Sequence, residues 1–333
     1  MKSKKVPSIA RSLLQIPWSA VKLRKLEGRI MSANGRRLQR AATVCGAFAA
    51  LLIGATSLAT PVHHHDRHPV HRRVRPRGPD LRSSAALVVD TTNGAVLYAK
   101  RPDAVQPIAS ITKLMTALVV LDAKQPLDQR ITIKPSDRIH GKGWYSRLKV
   151  GTTLTRGQLL HLALMSSENR AARTLADNYP GGLPAAIRAM NRKAKALGMT
   201  HTHFADPTGL TRHNVSTPGD LEKLVVAASH NPTIRRFSTD RRYAVRVRRR
   251  LVEFGTTDGL VANRAWRIIV QKTGFINAAG HCLVMETVID GRRLVIVLLD
   301  SWRKYTRVAD AVRVRRWLEA RVFSGRDRRV TMR

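Results

Sequence analysis

From residue 83 to about residue 323 the apolar pattern is β-like at both ends and helical in the middle, and that order constrains the fold most. Residues 85–91 (AALVVDT) and Ala95–Ala99 are strand-like, and Asn93-Gly94 between them is a strong hairpin signal. A helix follows Pro107–Lys113, with Leu114, Ala117, Leu118 and Leu121 on one face. Residues 157–165 form a second apolar helix that ends at Ser166–Asn169, and a third begins near Arg170. Residues 183–197 form a fourth, with Gly198 at its C-cap. Thr217-Pro218-Gly219-Asp220 reads as a capping box that opens a helix through Ala228. Residues 242–254, 266–273, 281–289 and 293–299 are β-rich, with turns at Asp258-Gly259, Ala279-Gly280 and Asp290-Gly291, and a last helix runs from about Tyr305 to Val322. The expected fold is α+β: an antiparallel sheet flanked by helices, with a mostly helical subdomain between the two β parts. No glycine fingerprint follows a strand, which argues against a Rossmann sheet, and no long repeat supports a solenoid.

The first 82 residues read differently. Residues 41–59 carry no charge, follow Arg36, Arg37 and Arg40, and end in Ser57-Leu58-Ala59. Basic flank, apolar centre and small-residue ending are the three parts of a secretory signal, with cleavage expected after Ala59. A span of that length would alternatively serve as an uncleaved membrane anchor. Residues 1–30 are unusual upstream of a signal, and Met31 would be a more natural start. Residues 60–82 are rich in Pro, Arg and His, with no apolar period, and read as a linker. The expected organisation is therefore extension and signal at 1–59, linker at 60–82, a catalytic domain at 83–323 and a basic tail at 324–333.

Lys and Arg number 60 against 22 Asp and Glu, a formal charge of +38. In the cytosol such a balance would suggest nucleic acid. After export to the periplasm the available polyanions are cell-wall peptide carboxylates and anionic membrane or wall surfaces. The signal and the sparse aromatics argue against a nucleic-acid partner. Cys45 leaves with the signal, so Cys282 stands alone in a strand-like run as a small buried hydrophobe.

Three short motifs carry the candidate chemistry. Ser110 and Lys113 form Ser-x-x-Lys at the opening of a helix, where positions i and i+3 share a face. A lysine one turn from a serine can act as its base if burial or a second cation lowers its pKa. The same spacing recurs at Ser146/Lys149 and Ser301/Lys304, so only context singles out Ser110. Ser167-Glu168-Asn169 falls at a helix junction, where an ordinary N-cap would be the plain reading. Lys272-Thr273-Gly274 is expected at the end of the strand Trp266–Gln271. Each motif is weak alone; the ordered set, in those three contexts, is what an active-site-serine penicillin-binding enzyme needs.

On these motifs, and on the stretches PIASITKLMTA, LMSSENRAA, MNRKAKALGMTHTHFADPTGL, HNVST and KTGFINAAGHCLVM, residues 84–322 resemble the low-molecular-mass penicillin-binding proteins, the serine D-alanyl-D-alanine peptidases. Within that family the chain is most similar to the D-alanyl-D-alanine endopeptidases. The resemblance implies a β-lactamase/transpeptidase-like fold. It also implies that Ser110 attacks a D-alanyl carbonyl, Lys113 takes its proton, and the backbone N–H groups of Ser110 and Phe275 hold the oxyanion. Ser167 would relay a proton to the leaving amine and Asn169 would hold the substrate amide and Lys113. Lys272 would keep the site cationic and depress the pKa of Lys113, and Thr273, ahead of Gly274, would bind the substrate carboxylate. Glu168 is expected to point away. β-Lactams would acylate Ser110 as inhibitors, and the mechanism requires no metal or cofactor.

Carboxypeptidases that resemble this family add a β-rich domain and an anchor helix. The residues after Gly274 are expected to be used up by two strands, a helix and the tail Ser324–Arg333, which favours endopeptidase action on D-alanyl-diaminopimelate cross-links, with carboxypeptidase action as the alternative. A catalytically dead wall-binding scaffold is a further rival, opposed by the intact motif set. Arg241–Leu251, with six arginines, is expected to form a hairpin with one basic face, either a charge-protected edge strand or a guide for anionic wall peptide. A carboxylate-binding arginine would be Arg303 or Arg307.

Overall fold

The computed structural model describes residues 78–139 and 145–323, with side chains through Ala320. The apolar run 41–59, the linker up to residue 77 and the tail from 324 lie outside the described residues. Among the described residues no helix is long and apolar enough to cross a membrane.

The chain opens with the hairpin β1 (Ala85–Asp90) and β2 (Ala95–Lys100), then a two-residue strand β3 (Gln106–Pro107). A 3-10 turn at Ala109–Ile111 leads into helix α1 (Thr112–Asp122). The helical part continues with β4 (Arg130–Thr132) and β5 (Thr153–Thr155), α2 (Arg156–Met165), α3 (Asn169–Asp177) and α4 (Gly182–Ala196). After β6 (Val215–Ser216) come α5 (Pro218–Ser229) and α6 (Pro232–Thr239). The separate ribbon β7 (Arg242–Val247) and β8 (Arg250–Gly255) precedes the long strands β9 (Arg267–Ile276), β10 (Gly280–Ile289) and β11 (Arg292–Ser301). Helix α7 (Thr306–Trp317) ends the order, continued by a wider turn through Phe323.

The main sheet is antiparallel in the order β2-β1-β11-β10-β9, so the first hairpin and the last three strands meet although distant in sequence. Its inner strands β1, β11 and β10 are buried on both faces, whereas the outer strand β2 is partly exposed. Ala85, Leu87, Cys282, Val284, Val295 and Val297 face the core shared with α1, α2 and α5; Ala86, Val88, Leu283, Met285, Leu294 and Ile296 face α7. Two covered faces explain why these strands read as continuous apolar runs rather than as an alternation. A buried network joins the beginning of the domain to its end. Asp310 on α7 accepts from the Ser83 backbone N–H and from Ser83 Oγ, each at 2.7 Å, and Ser83 Oγ also meets Ser301 Oγ. Leu81, within the stretch read as linker, is buried against the α7 core.

Three local readings are corrected. Helix α1 is buried on every side from Thr112 to Val120, not on one face, because it is the hub between sheet and helical part. Lys272-Thr273-Gly274 lies inside β9 and does not end it: pairing with β10 continues to Ile276 opposite Gly280. Thr217 caps α5 by accepting from Asp220 N, but the reciprocal half of the box is missing, because the Asp220 carboxylate turns instead to His201 N and Thr202 Oγ1. The arginine-rich hairpin stands apart from the main sheet. It is a two-stranded ribbon that buries Val245, Val247 and Phe254 and exposes its arginines, so its one basic face is as expected.

Candidate active site

The turn before α1 is held from both sides. Thr112 Oγ1 donates to Ala109 O at 2.8 Å, and Asn214 Nδ2 donates to Thr112 Oγ1 at 3.0 Å. Ala109 has φ +47°, a conformation disfavoured for a residue with a Cβ and held here by its surroundings. The effect is to place Ser110 at the head of the helix with its side chain turned towards Lys113.

Lys113 is buried, and its Nζ lies 2.7 Å from Ser110 Oγ, 2.7 Å from Asn169 Oδ1 and 2.6 Å from Thr208 O. An ammonium donates to all three. A neutral amine has two hydrogens and a lone pair, so it can donate to the two acceptor-only groups, Asn169 Oδ1 and Thr208 O, and accept the Ser110 hydroxyl hydrogen. The site favours that neutral state. Burial lowers the Lys113 pKa to about 7, against the opposing pull of the Asp206 and Glu168 carboxylates.

Lys272 is also fully buried, with Nζ donating to Thr273 O at 2.8 Å. Its pKa is held well below the usual lysine value by burial first, then by Lys113 and Arg307. Burial is the leading cause of the lowered pKa at both lysines, and their mutual repulsion adds to it.

The remaining expected residues converge on the same place to different degrees. Gly274 packs against the Ser110 turn, where an added Cβ would meet Ile108 O at 3.0 Å and Ser110 N at 3.2 Å, so only glycine brings β9 this close. Its carbonyl accepts from Arg307 at 2.9 Å; this buried guanidinium also reaches Cys282 O. Arg303 instead stacks over exposed Trp302. Thr273 Oγ1 lies 2.6 Å from Thr257 Oγ1. Phe275 is half exposed and stacks on His281 at 4.2 Å. Asn169 begins α3 and reaches Lys113 directly. Ser167 sits at the α2–α3 junction with φ +59° and makes no hydrogen bond to the other motif residues among the described residues. Glu168 caps α3 through Arg170 N, and its carboxylate turns to Ser146 Oγ rather than to Ser110. Cys282 is buried, with its thiol pushed up to about 11 by burial.

Sequence reasoning missed the loop 206–209, whose Thr208 O is a third partner of Lys113 Nζ beside Ser110 and Asn169. Asp206 ties it together by accepting from the Thr208 backbone and hydroxyl, from Gly209 N at 2.8 Å and from Asn214 Nδ2 at 2.9 Å. Gly209 has φ +82°, and a Cβ there would fall 1.9 Å from Ala109 O. The Pro-Thr-Gly turn was a visible signal, but nothing in its spacing says that Thr208 O meets Lys113. Ser146 was set aside as part of a repeated Ser-x-x-Lys, yet it is the partner of buried Glu168.

A serine paired with a buried lysine of lowered pKa, an asparagine on that lysine and a Lys-Thr-Gly strand beside the serine form an arrangement able to carry out serine acyl transfer. The chain belongs to the D-alanyl-D-alanine carboxypeptidase family of serine peptidases, whose family model matches residues 72–302. A D-alanyl-D-alanine endopeptidase of Pseudomonas aeruginosa is 51% identical over 242 residues, covering 72% of this chain and 78% of that protein. Another from Escherichia coli is 49% identical over 243 residues, with the same coverage. A Streptomyces DD-transpeptidase crystal structure matches with a TM-score of 0.66 at 28% identity, over 73% of this chain and 99% of that one. The α+β, transpeptidase-like fold expected from the sequence is the fold observed.

Proposed function

We propose that the chain hydrolyses D-alanyl-diaminopimelate cross-links of peptidoglycan, as a D-alanyl-D-alanine endopeptidase working through a serine acyl-enzyme. The observation that carries this reading is the 2.7 Å contact between Lys113 Nζ and Ser110 Oγ in a site that holds the amine near neutrality. Lys113 takes the hydroxyl proton as Ser110 Oγ attacks the D-alanyl carbonyl. The backbone N–H groups of Ser110 and Phe275 receive the oxyanion, a role supported by the close approach of β9 to the Ser110 turn. The proton passes by way of Ser167 to the leaving amine, the C–N bond breaks, and water then hydrolyses the ester. Asn169 holds Lys113 and the substrate amide. Lys272, Thr273 and Gly274 line the substrate strand, and Arg307 behind Gly274 supplies positive charge for a substrate carboxylate. β-Lactams acylate Ser110 in place of substrate. The same reading places a catalytic domain at residues 83–323 in the periplasm, led there by the signal at 1–59 and the linker at 60–82, with wall peptide and anionic surfaces as partners and no nucleic acid.

A second reading, carboxypeptidase action, is favoured by the description of the matching family. Cross-linked muropeptide dimers and monomeric pentapeptides separate the two. Conversion of dimers to monomers supports the endopeptidase. Release of terminal D-alanine alone, with dimers untouched, supports the carboxypeptidase.

A further inference from the structure

The arginine-rich hairpin is not absorbed by the serine chemistry, and its tip closes a cationic pocket beside the site. Arg248, at the turn between β7 and β8, reaches across to donate to Val150 O at 3.1 Å. Between that tip and segment 145–150 lies a pocket of about 330 Å³ lined by Arg138, Lys149, Arg170 and Arg248, with Tyr145 and Ser146. No carboxylate lines it, and none of the four cations is in an ion pair among the described residues. Arg170 Nε is buried there without a hydrogen-bond partner. The nearest carboxylate is that of buried Glu168, behind Ser146, which offsets one of the four charges; the remaining like charges repel one another, and an anion in the pocket relieves that repulsion.

The pocket is joined to the catalytic residues by short links. Arg170 follows Asn169, whose side chain holds Lys113. Ser146, on the pocket wall, donates to Glu168 in the same motif. Strand β8 runs on to Thr257, which meets Thr273 of the Lys-Thr-Gly strand. A substrate peptide that extended past the α2–α3 junction would meet this concentrated positive charge.

We infer that this pocket is a binding subsite for a carboxylate of the cross-linked wall peptide, engaged by substrates long enough to extend past Ser167–Asn169 and not reached by a D-alanyl-D-alanine dipeptide. The inference rests on the peptidase reading above, and names the part of the substrate that confers preference for cross-linked material. Charge-assisted pairing of guanidinium and ammonium groups with a carboxylate is the chemistry involved.

The test is a cycle that varies both partners. Binding of a purified cross-linked muropeptide dimer, and of the same dimer with its carboxylates amidated, is measured with Ser110→Ala protein so that no turnover occurs. The measurement is repeated with Lys149→Glu and Arg248→Glu added, and with Arg248→Lys as the charge-conserving control. Amidation is expected to weaken binding about tenfold in the parent and to have little further effect once the two charges are reversed, while Arg248→Lys keeps most of the affinity. Equal losses on amidation in parent and reversed protein would overturn the subsite, as would no loss in either. Folding is followed by the melting temperature of each variant, and acylation by penicillin in the Ser110 background checks the site itself. Absence of acylation there would refute the peptidase reading; normal acylation and dimer cleavage without charge coupling would refute the subsite alone.

Discussion

The Lys113 amine sets a pH profile that distinguishes a tuned base from an ordinary lysine. With a pKa of about 7, the acylation-competent neutral fraction is about 9% at pH 6 and about 90% at pH 8, so the acylation rate rises about tenfold over that interval and then levels. A lysine left at its usual value would be almost wholly charged throughout, and the rate would rise about a hundredfold over the same interval with no plateau below pH 9. The direction follows from the sign of the charge. Burial disfavours the cation, the free amine is the base in the proposed mechanism, and activity is therefore expected to fall as pH drops through the folded-state pKa. The assay is the pseudo-first-order rate of labelling by excess fluorescent penicillin between pH 5.5 and 9, with the melting temperature recorded at each pH. A slope of one in log rate against pH that persists to pH 9 would refute the reasoning.

Three substitutions probe the supports of that amine. Asn169→Ala removes one of two acceptors on Lys113 and should slow penicillin acylation by about a hundredfold while leaving the melting temperature within a few degrees, since a part-buried partner is lost without a new cavity against the core. Gly274→Ala puts a Cβ 3.0 Å from Ile108 O and 3.1 Å from Ala109 Cβ, pushing β9 off the serine turn; a stability loss of about 1–3 kcal/mol in denaturant titration should accompany slower acylation. Ser146→Ala leaves the buried Glu168 carboxylate without its hydroxyl partner and should cost about 1–3 kcal/mol by the same titration, although position 146 belongs to none of the three motifs.

Legibility followed sequence distance. The Asn93-Gly94 hairpin, the cap at Thr217 and the Ser-x-x-Lys turn are local, and turn chemistry and i, i+3 spacing made them readable. Ser110, Asn169 and Gly274 could be assigned to one site only through the order of their motifs, because no local rule brings β9 to the start of α1. The loop 206–209 was not readable: Thr208 O meets Lys113 across a long stretch of chain, and the Asp206 network that positions it consists of tertiary and turn contacts without periodicity. Helix α1 was read with one apolar face of Leu114, Ala117, Leu118 and Leu121, yet Met115, Val119 and Val120 are buried as well, together with Thr112, Lys113 and Thr116, because the helix is packed on every side. Arg303 and Arg307 were equivalent in sequence and opposite in structure, one on exposed Trp302 and the other buried behind Gly274.

The central claim is that Ser110 is the nucleophile, and intact-protein mass spectrometry after exposure to penicillin tests it most directly. The account predicts a covalent adduct of one penicillin per chain, mapped by proteolysis to the peptide containing Ser110 and absent from a folded Ser110→Ala variant. An adduct that persists in Ser110→Ala, or none on a protein that melts cooperatively, would contradict it.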